Sequence, residues 1–135
     1  MSAPQAGDVE VIPDSYRELT GGVPKAIESR LKVAEATGRG GAVGAIEATR
    51  RALVMDNPLG PKVGQTVHFA QLVALGKGDA ARLHARAALR AGATMAELNG
   101  AVELALITAG MPAYSLGVDV LAELLEEAEA GGRRS

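Results

Sequence analysis

Two histidines, one glutamine and a few cationic residues are the side chains of this chain whose types and spacing suit chemistry. His84 comes first, because an imidazole exchanges a proton near neutral pH. A helical histidine is also commonly a core or interface residue bonded to a backbone carbonyl, and the residues alone leave both readings open. His68 lies three residues after Gln65, so the two share one helix face. An amide such as Gln65 can donate or accept a hydrogen bond but cannot carry a proton as a general acid or base. Lys77 and Arg82, close to a glycine turn, are candidates for attracting an anionic substrate, Arg82 through its planar fork. Arg86 and the other helical charges read as solvated faces or ion-pair partners. Asp79 near the histidines raises the question of a metal, but no H-x-x-x-H or E-x-x-H spacing supports one, and none is expected.

Composition narrows the classes. The chain has 135 residues and no cysteine, which rules out disulfides, thiolate catalysis and zinc–sulfur sites. Its formal charge of −2, with no long basic run, argues against nucleic acid as a partner. The segment MSAPQAGDVEV has neither a basic n-region nor an apolar run, and no later stretch is long and apolar enough for a membrane span, so a cytoplasmic location is the expectation. Hydrophobic residues make up 47% of the chain but aromatic ones only 2% (Tyr16, Phe69 and Tyr114), so the core must come from Ala, Val, Leu and Ile. That composition favours close-packed helices over a β-sandwich. Small side chains bury little area each, at about 25 cal/mol per Å² of apolar surface, and oligomerisation is one way to bury more.

Helices are therefore the elements that must position these residues, and the sequence divides into seven. Residues 1–13 read as a flexible segment, 14–130 as one helical domain and 131–135 as a flexible tail. Ser15 with Glu18 predicts a cap for a short helix ending at Gly21-Gly22. A second helix follows Pro24 and runs to Thr37, stopped by Gly38-Arg39-Gly40-Gly41. That glycine run lacks the Lys-Ser/Thr of a phosphate loop and follows no strand, so it reads as a flexible turn. A third helix spans Ala42 to about Met55, with Ala42, Ala45, Ile46, Thr49 and Leu53 expected on the core face and Glu47 and Arg51 opposite. A fourth runs from Pro61 to about Leu75, with Val63, Val67, Ala70, Leu72, Val73 and Ala74 as its apolar positions. Gly76-Lys77-Gly78 closes it, and Asp79 is the expected N-cap of the next, which ends near Arg90. Thr94 and Glu97 form a capping box for a sixth helix stopped by Gly110. Pro112 opens a seventh, whose Leu116, Leu121, Leu124 and Leu125 read as core or subunit interface and which should fray near Gly131-Gly132. Counting outward from the Gly76–Gly78 turn at about 1.5 Å per residue brings His68 and His84 to similar heights on adjacent antiparallel helices. They can meet in one site, or either can face a subunit contact.

The stretch LGKGDAARLHARAALRAGATMAELNGAVELALITAGMPA, Leu75 to Ala113, resembles the carboxymuconolactone decarboxylase family in the order of Gly76, His84, Ala88-Leu89, Gly92, Thr94, Gly110 and Pro112. PLGPKVGQTV upstream resembles the start of the family's preceding helix. The resemblance covers roughly the C-terminal half of the chain. It implies an all-α domain, an active-site region formed by a helical hairpin, and assembly into trimers or hexamers. Redox relatives of the same fold carry a C-x-x-C pair before the histidine and a Glu one helix earlier. Lys77 and Ala80 stand at those cysteine positions and Gln65 at that of the Glu, so peroxide reduction is not expected. The implied function is a cofactor-free decarboxylation of a small lactone or related carboxylate. His84 would transfer the proton, Gln65 and His68 would orient the substrate, and Lys77 and Arg82 would help to bind it. Two alternatives stay open: a non-catalytic ligand-binding or assembly module, and a biosynthetic enzyme reusing the site for isomerisation or cyclisation.

Overall fold

A computed structural model describes residues 9–134 of the chain. After a 3-10 turn at Val9–Val11 come seven α-helices: α1 Ile12–Thr20, α2 Lys25–Thr37, α3 Gly40–Val54, α4 Gly60–Ala74, α5 Gly78–Arg90, α6 Met95–Ala109 and α7 Met111–Arg134. Among the described residues there is no strand, so the fold is all-α. Contacts divide the chain into two compact units, parted between Gly60 and Pro61.

In the first unit the helices are tied by polar contacts as much as by apolar ones. Glu47 on α3 is buried, only 6% exposed. Its carboxylate accepts from the Tyr16 hydroxyl of α1 at 3.0 Å and from Arg30 of α2 at 2.9 Å. Arg50, one turn along α3, lies 3.7 Å from the same carboxylate and places its guanidinium 5.9 Å from the centre of the Tyr16 ring. The expected orientation of α3 is therefore reversed. Val43, Gly44 and Glu47 face inward, while Ala45, Ile46, Thr49 and Leu53 are exposed. A carboxylate can occupy a core position when its partners satisfy it there, and the hydroxyl and guanidinium groups from α1 and α2 do so.

The start of α1 also differs from expectation. Ser15 does not cap it; the helix begins at Ile12 with Pro13 in its first turn, and Ser15 Oγ accepts from Arg51 at 3.0 Å. Proline fixes φ near the helical value and needs no donor there, which makes a side-chain cap dispensable. Ile12 is buried, so the part of the expected flexible segment that lies within the described residues is folded in. Residues 1–8 lie outside the described residues.

The second unit is built on small side chains. The buried stripe of α5 is Ala81, His84, Ala85 and Ala88, which packs in a cluster with Phe69 and Val73 of α4, Leu98 and Val102 of α6, and Val120 and Leu124 of α7. Gly117 on α7 sits so close to α6 and α4 that an added Cβ would lie 2.7 Å from both Val102 methyl groups and 3.1 Å from Val73. The capping box of α6 forms as expected, with Glu97 N–H donating to Thr94 Oγ1 at 3.1 Å and Thr94 N–H to Glu97 Oε1 at 3.0 Å. Asp79 does not cap α5. Lys77 holds the N-cap position without a side-chain bond, and Asp79 sits in the first turn, 3.1 Å from Arg82. α7 continues through Gly131-Gly132 to Arg134 instead of fraying there, and Ser135 lies outside the described residues. Arg82 Nε and Nη2 grip Glu123 at 2.5 and 3.1 Å, and Arg86 grips Glu127 in the same two-pronged way. Both pairs advance four residues on each helix, so α5 and α7 run in the same direction.

Two measurements check this packing. Gly117→Ala should lower unfolding stability in urea by about 1–3 kcal/mol, because β-branched Val102 is fully buried and has little room to move. Gly100→Ala on α6, where an added Cβ meets nothing within 4 Å, should be neutral or stabilise by up to about 1 kcal/mol. In the first unit, burial pushes the Tyr16 phenol up to about 12, and the Glu47 charge and hydrogen bond add to that against the opposing pull of Arg50. A group whose folded value is raised contributes stability in full below its unfolded value, near 10, and loses it as pH rises through the folded one. Wild-type stability should therefore fall between about pH 10 and 12 more steeply than that of Tyr16→Phe. Parallel slopes for the two proteins would contradict the buried phenol.

Candidate active site

The α4–α5 hairpin carries the histidines. Its turn closes through Gly76, whose φ of 74° lies in the left-handed region that favours glycine. Gly76 N–H donates to Val73 O at 3.0 Å and Lys77 N–H to Leu72 O at 2.9 Å, the paired closure of a Schellman turn. With the turn fixed, Gln65, Phe69 and Val73 form the buried stripe of α4, at spacings of four. Val63 and Val67, expected to be apolar core positions, are exposed. The polar Gln65 occupies the stripe because it finds its partner inside.

That partner is His84. The His84 Nδ1 and Gln65 Oε1 atoms are 2.7 Å apart, and the residues are 3% and 2% exposed. The amide presents its oxygen to the ring, so Nδ1 carries the hydrogen and donates it. This leaves Nε2 as the nitrogen at which the ring gains or loses a proton. His68, one turn after Gln65, brings its ring centroid to 4.0 Å from that of His84 at an interplanar angle of 44°. The rings touch, so no substrate fits between them, and His68 is the half-buried member of the pair. Two positive charges at that separation would repel by about 4 kcal/mol at an effective dielectric of 20.

The structure thus brings together Gln65, His68 and His84. It does not bring the two cations to them. Lys77 is exposed at the start of α5, and the Arg82 fork is engaged by Glu123 and Asp79. The Glu123 hydrogen bond holds the Arg82 guanidinium above its ordinary value, opposed by burial. Arg82 therefore serves as a tie between α5 and α7 in this structure. Among the described residues no group of three or more His, Cys, Asp or Glu side chains is arranged to hold a metal ion. Sequence reasoning missed the inward Glu47, whose partners Tyr16 and Arg30 lie 31 and 17 residues away. It also aimed Gln65 at substrate, whereas the amide is bound to the histidine.

The family model described as carboxymuconolactone decarboxylase matches residues 41–123. The chain belongs to this family. The match runs from the start of α3 to Glu123 on α7 and contains the whole hairpin with Gln65, His68 and His84, in a chain that has no cysteine. No curated protein and no solved structure matches the chain.

The bond to Gln65 makes a spectroscopic prediction. With nitrogen-15-labelled histidine, NMR should find His84 Nδ1 protonated across about pH 6 to 9, with all titration at Nε2. Gln65→Leu should abolish that preference. A neutral Nε2–H form in the wild-type protein would contradict the geometry.

Proposed function

We propose that this chain is a cofactor-free acid–base enzyme that decarboxylates a small lactone or related carboxylate. The observation that carries the reading is the buried hydrogen bond from His84 to Gln65 with the His68 ring packed against it. Loss of CO2 breaks the bond between the carboxyl carbon and the ring carbon, and the electron pair left behind flows into the conjugated lactone carbonyl. That carbon must then be protonated. His84, held through Nδ1, delivers a proton from Nε2 and regains it from solvent. Gln65 orients the imidazole, His68 shares the proton and orients the substrate, and a water-poor setting favours discharge of the substrate's charge. Lys77 is the exposed cation available to attract the carboxylate. Arg82 could join it only by giving up Glu123.

A second reading is favoured by one specific feature. Gln65 is neutral where redox relatives carry a carboxylate, and the two rings close against each other, which suits a non-catalytic ligand-binding or assembly module. A biosynthetic enzyme using the same histidine for isomerisation or cyclisation shares the first reading's chemistry. In each case we propose a cytoplasmic homo-oligomer, trimer or hexamer. Leu104 and Ile107 on α6, the latter 83% exposed, are apolar surface that self-association would cover. No helix of the described residues is long and apolar enough to cross a membrane.

The test is turnover of a panel of carboxylated lactones by wild type, His84→Ala and Gln65→Glu, with helix content checked by circular dichroism. His84→Ala should lose at least about a hundredfold in kcat/KM, the usual worth of a positioned acid–base group. Gln65→Glu should shift the pH profile upward, since a carboxylate at Nδ1 favours the protonated ring. Full turnover after His84→Ala removes the assigned role, and an oligomer with no turnover of any lactone supports the second reading.

A further inference from the structure

The polar cluster of the first unit carries more positive charge than its carboxylate balances. Glu47 is shared among Tyr16, Arg30 and Arg50. Arg51, the next residue on α3, is half-buried, and its Nη1 donates at 3.0 Å to a hydroxyl, that of Ser15. A hydroxyl satisfies one of the five guanidinium N–H donors and neutralises none of the charge. Among the described residues, Glu47 is the one carboxylate that pairs with this group of three arginines, and Arg51 bonds a neutral hydroxyl instead. Asp14, the acidic neighbour of Ser15, is held by Arg17 at 2.6 Å.

Arg50 and Arg51 reach the same point of α1 from consecutive positions of α3. Arg50 lies over the Tyr16 ring and Arg51 bonds the adjacent Ser15. Ser15 Oγ uses a lone pair on Arg51, so its own hydrogen remains to be donated elsewhere. We propose that Ser15, Arg50 and Arg51 form a binding site for a small oxyanion, a carboxylate or a phosphate. The Arg51 fork takes two oxygens, the Ser15 hydroxyl donates to one of them, and Arg50 supplies the second charge. Glu47 holds Arg50 and Arg30 in place and leaves Arg51 to the ligand. This inference does not depend on the role of His84.

The experiment is thermal unfolding and calorimetric titration of the full chain with inorganic phosphate and with succinate, at constant ionic strength set by chloride. The wild-type protein should show a saturable rise in its unfolding midpoint with at least one of the two anions. The stronger of the two identifies the ligand chemistry as phosphate or carboxylate. Arg51→Gln should weaken binding about ten- to hundredfold, the usual worth of charged hydrogen bonds, and Ser15→Ala several-fold. Arg39→Gln, an exposed cation at the start of α3, should leave it unchanged. A wild-type protein without a saturable response to either anion overturns the proposal, as does Arg51→Gln with wild-type affinity. Should Arg51→Gln not fold, the Nε–H NMR signals of Arg50 and Arg51 in the wild type decide it: they must shift with the anion, and fixed signals overturn the site.

Discussion

A polar side chain turned into a helical core must be bonded there, and this chain applies that constraint at two positions. Gln65 lies on the buried stripe of α4 because the imidazole of His84 meets its oxygen. Glu47 lies on the inner face of α3 because Tyr16 and Arg30 reach it from α1 and α2. Leaving either group unpaired would cost about 1–3 kcal/mol, and more for the carboxylate, so each bond fixes which face its helix presents. Among the described residues no buried side-chain nitrogen or oxygen lacks a partner. The alanine stripe of α5 complements this arrangement, since small side chains on either side of His84 leave its ring as the bulky group on that face.

Much of the architecture was legible in the sequence because its signals are local. Glycines and prolines punctuate the chain at each helix boundary, and the Thr94–Glu97 box needs only four consecutive residues to be recognised. The meeting of His68 and His84 was legible for a related reason. A tight turn at Gly76 makes a hairpin whose two arms can be counted from one origin. The inner face of α3 was not, because its apolar Ala45, Ile46 and Leu53 outscore Glu47 on any local scale. What reverses the face comes from Tyr16, 31 residues away, and Arg30, 17 away. The missed cap at Ser15 has the same origin: its hydroxyl is taken by Arg51, 36 residues on. The partner of Gln65 also lies outside any local window, 19 residues further along the chain.

The site sets a buried histidine against a neutral amide. A carboxylate at Nδ1 would add a charge beside the ring, whereas an amide oxygen orients the ring without one. The His68 ring lies directly against the His84 ring, with the centroids 4.0 Å apart.

The paired arginines on α5 also constrain motion. Glu123 and Glu127 lie one turn apart, as do Arg82 and Arg86, so the two helices engage like a rack with matched teeth. A slide of α7 by a single residue would misalign both teeth at once, and only a whole-turn step could re-engage one of them. Sliding the C-terminal helix along its axis would therefore give up both ion pairs together and not one after the other.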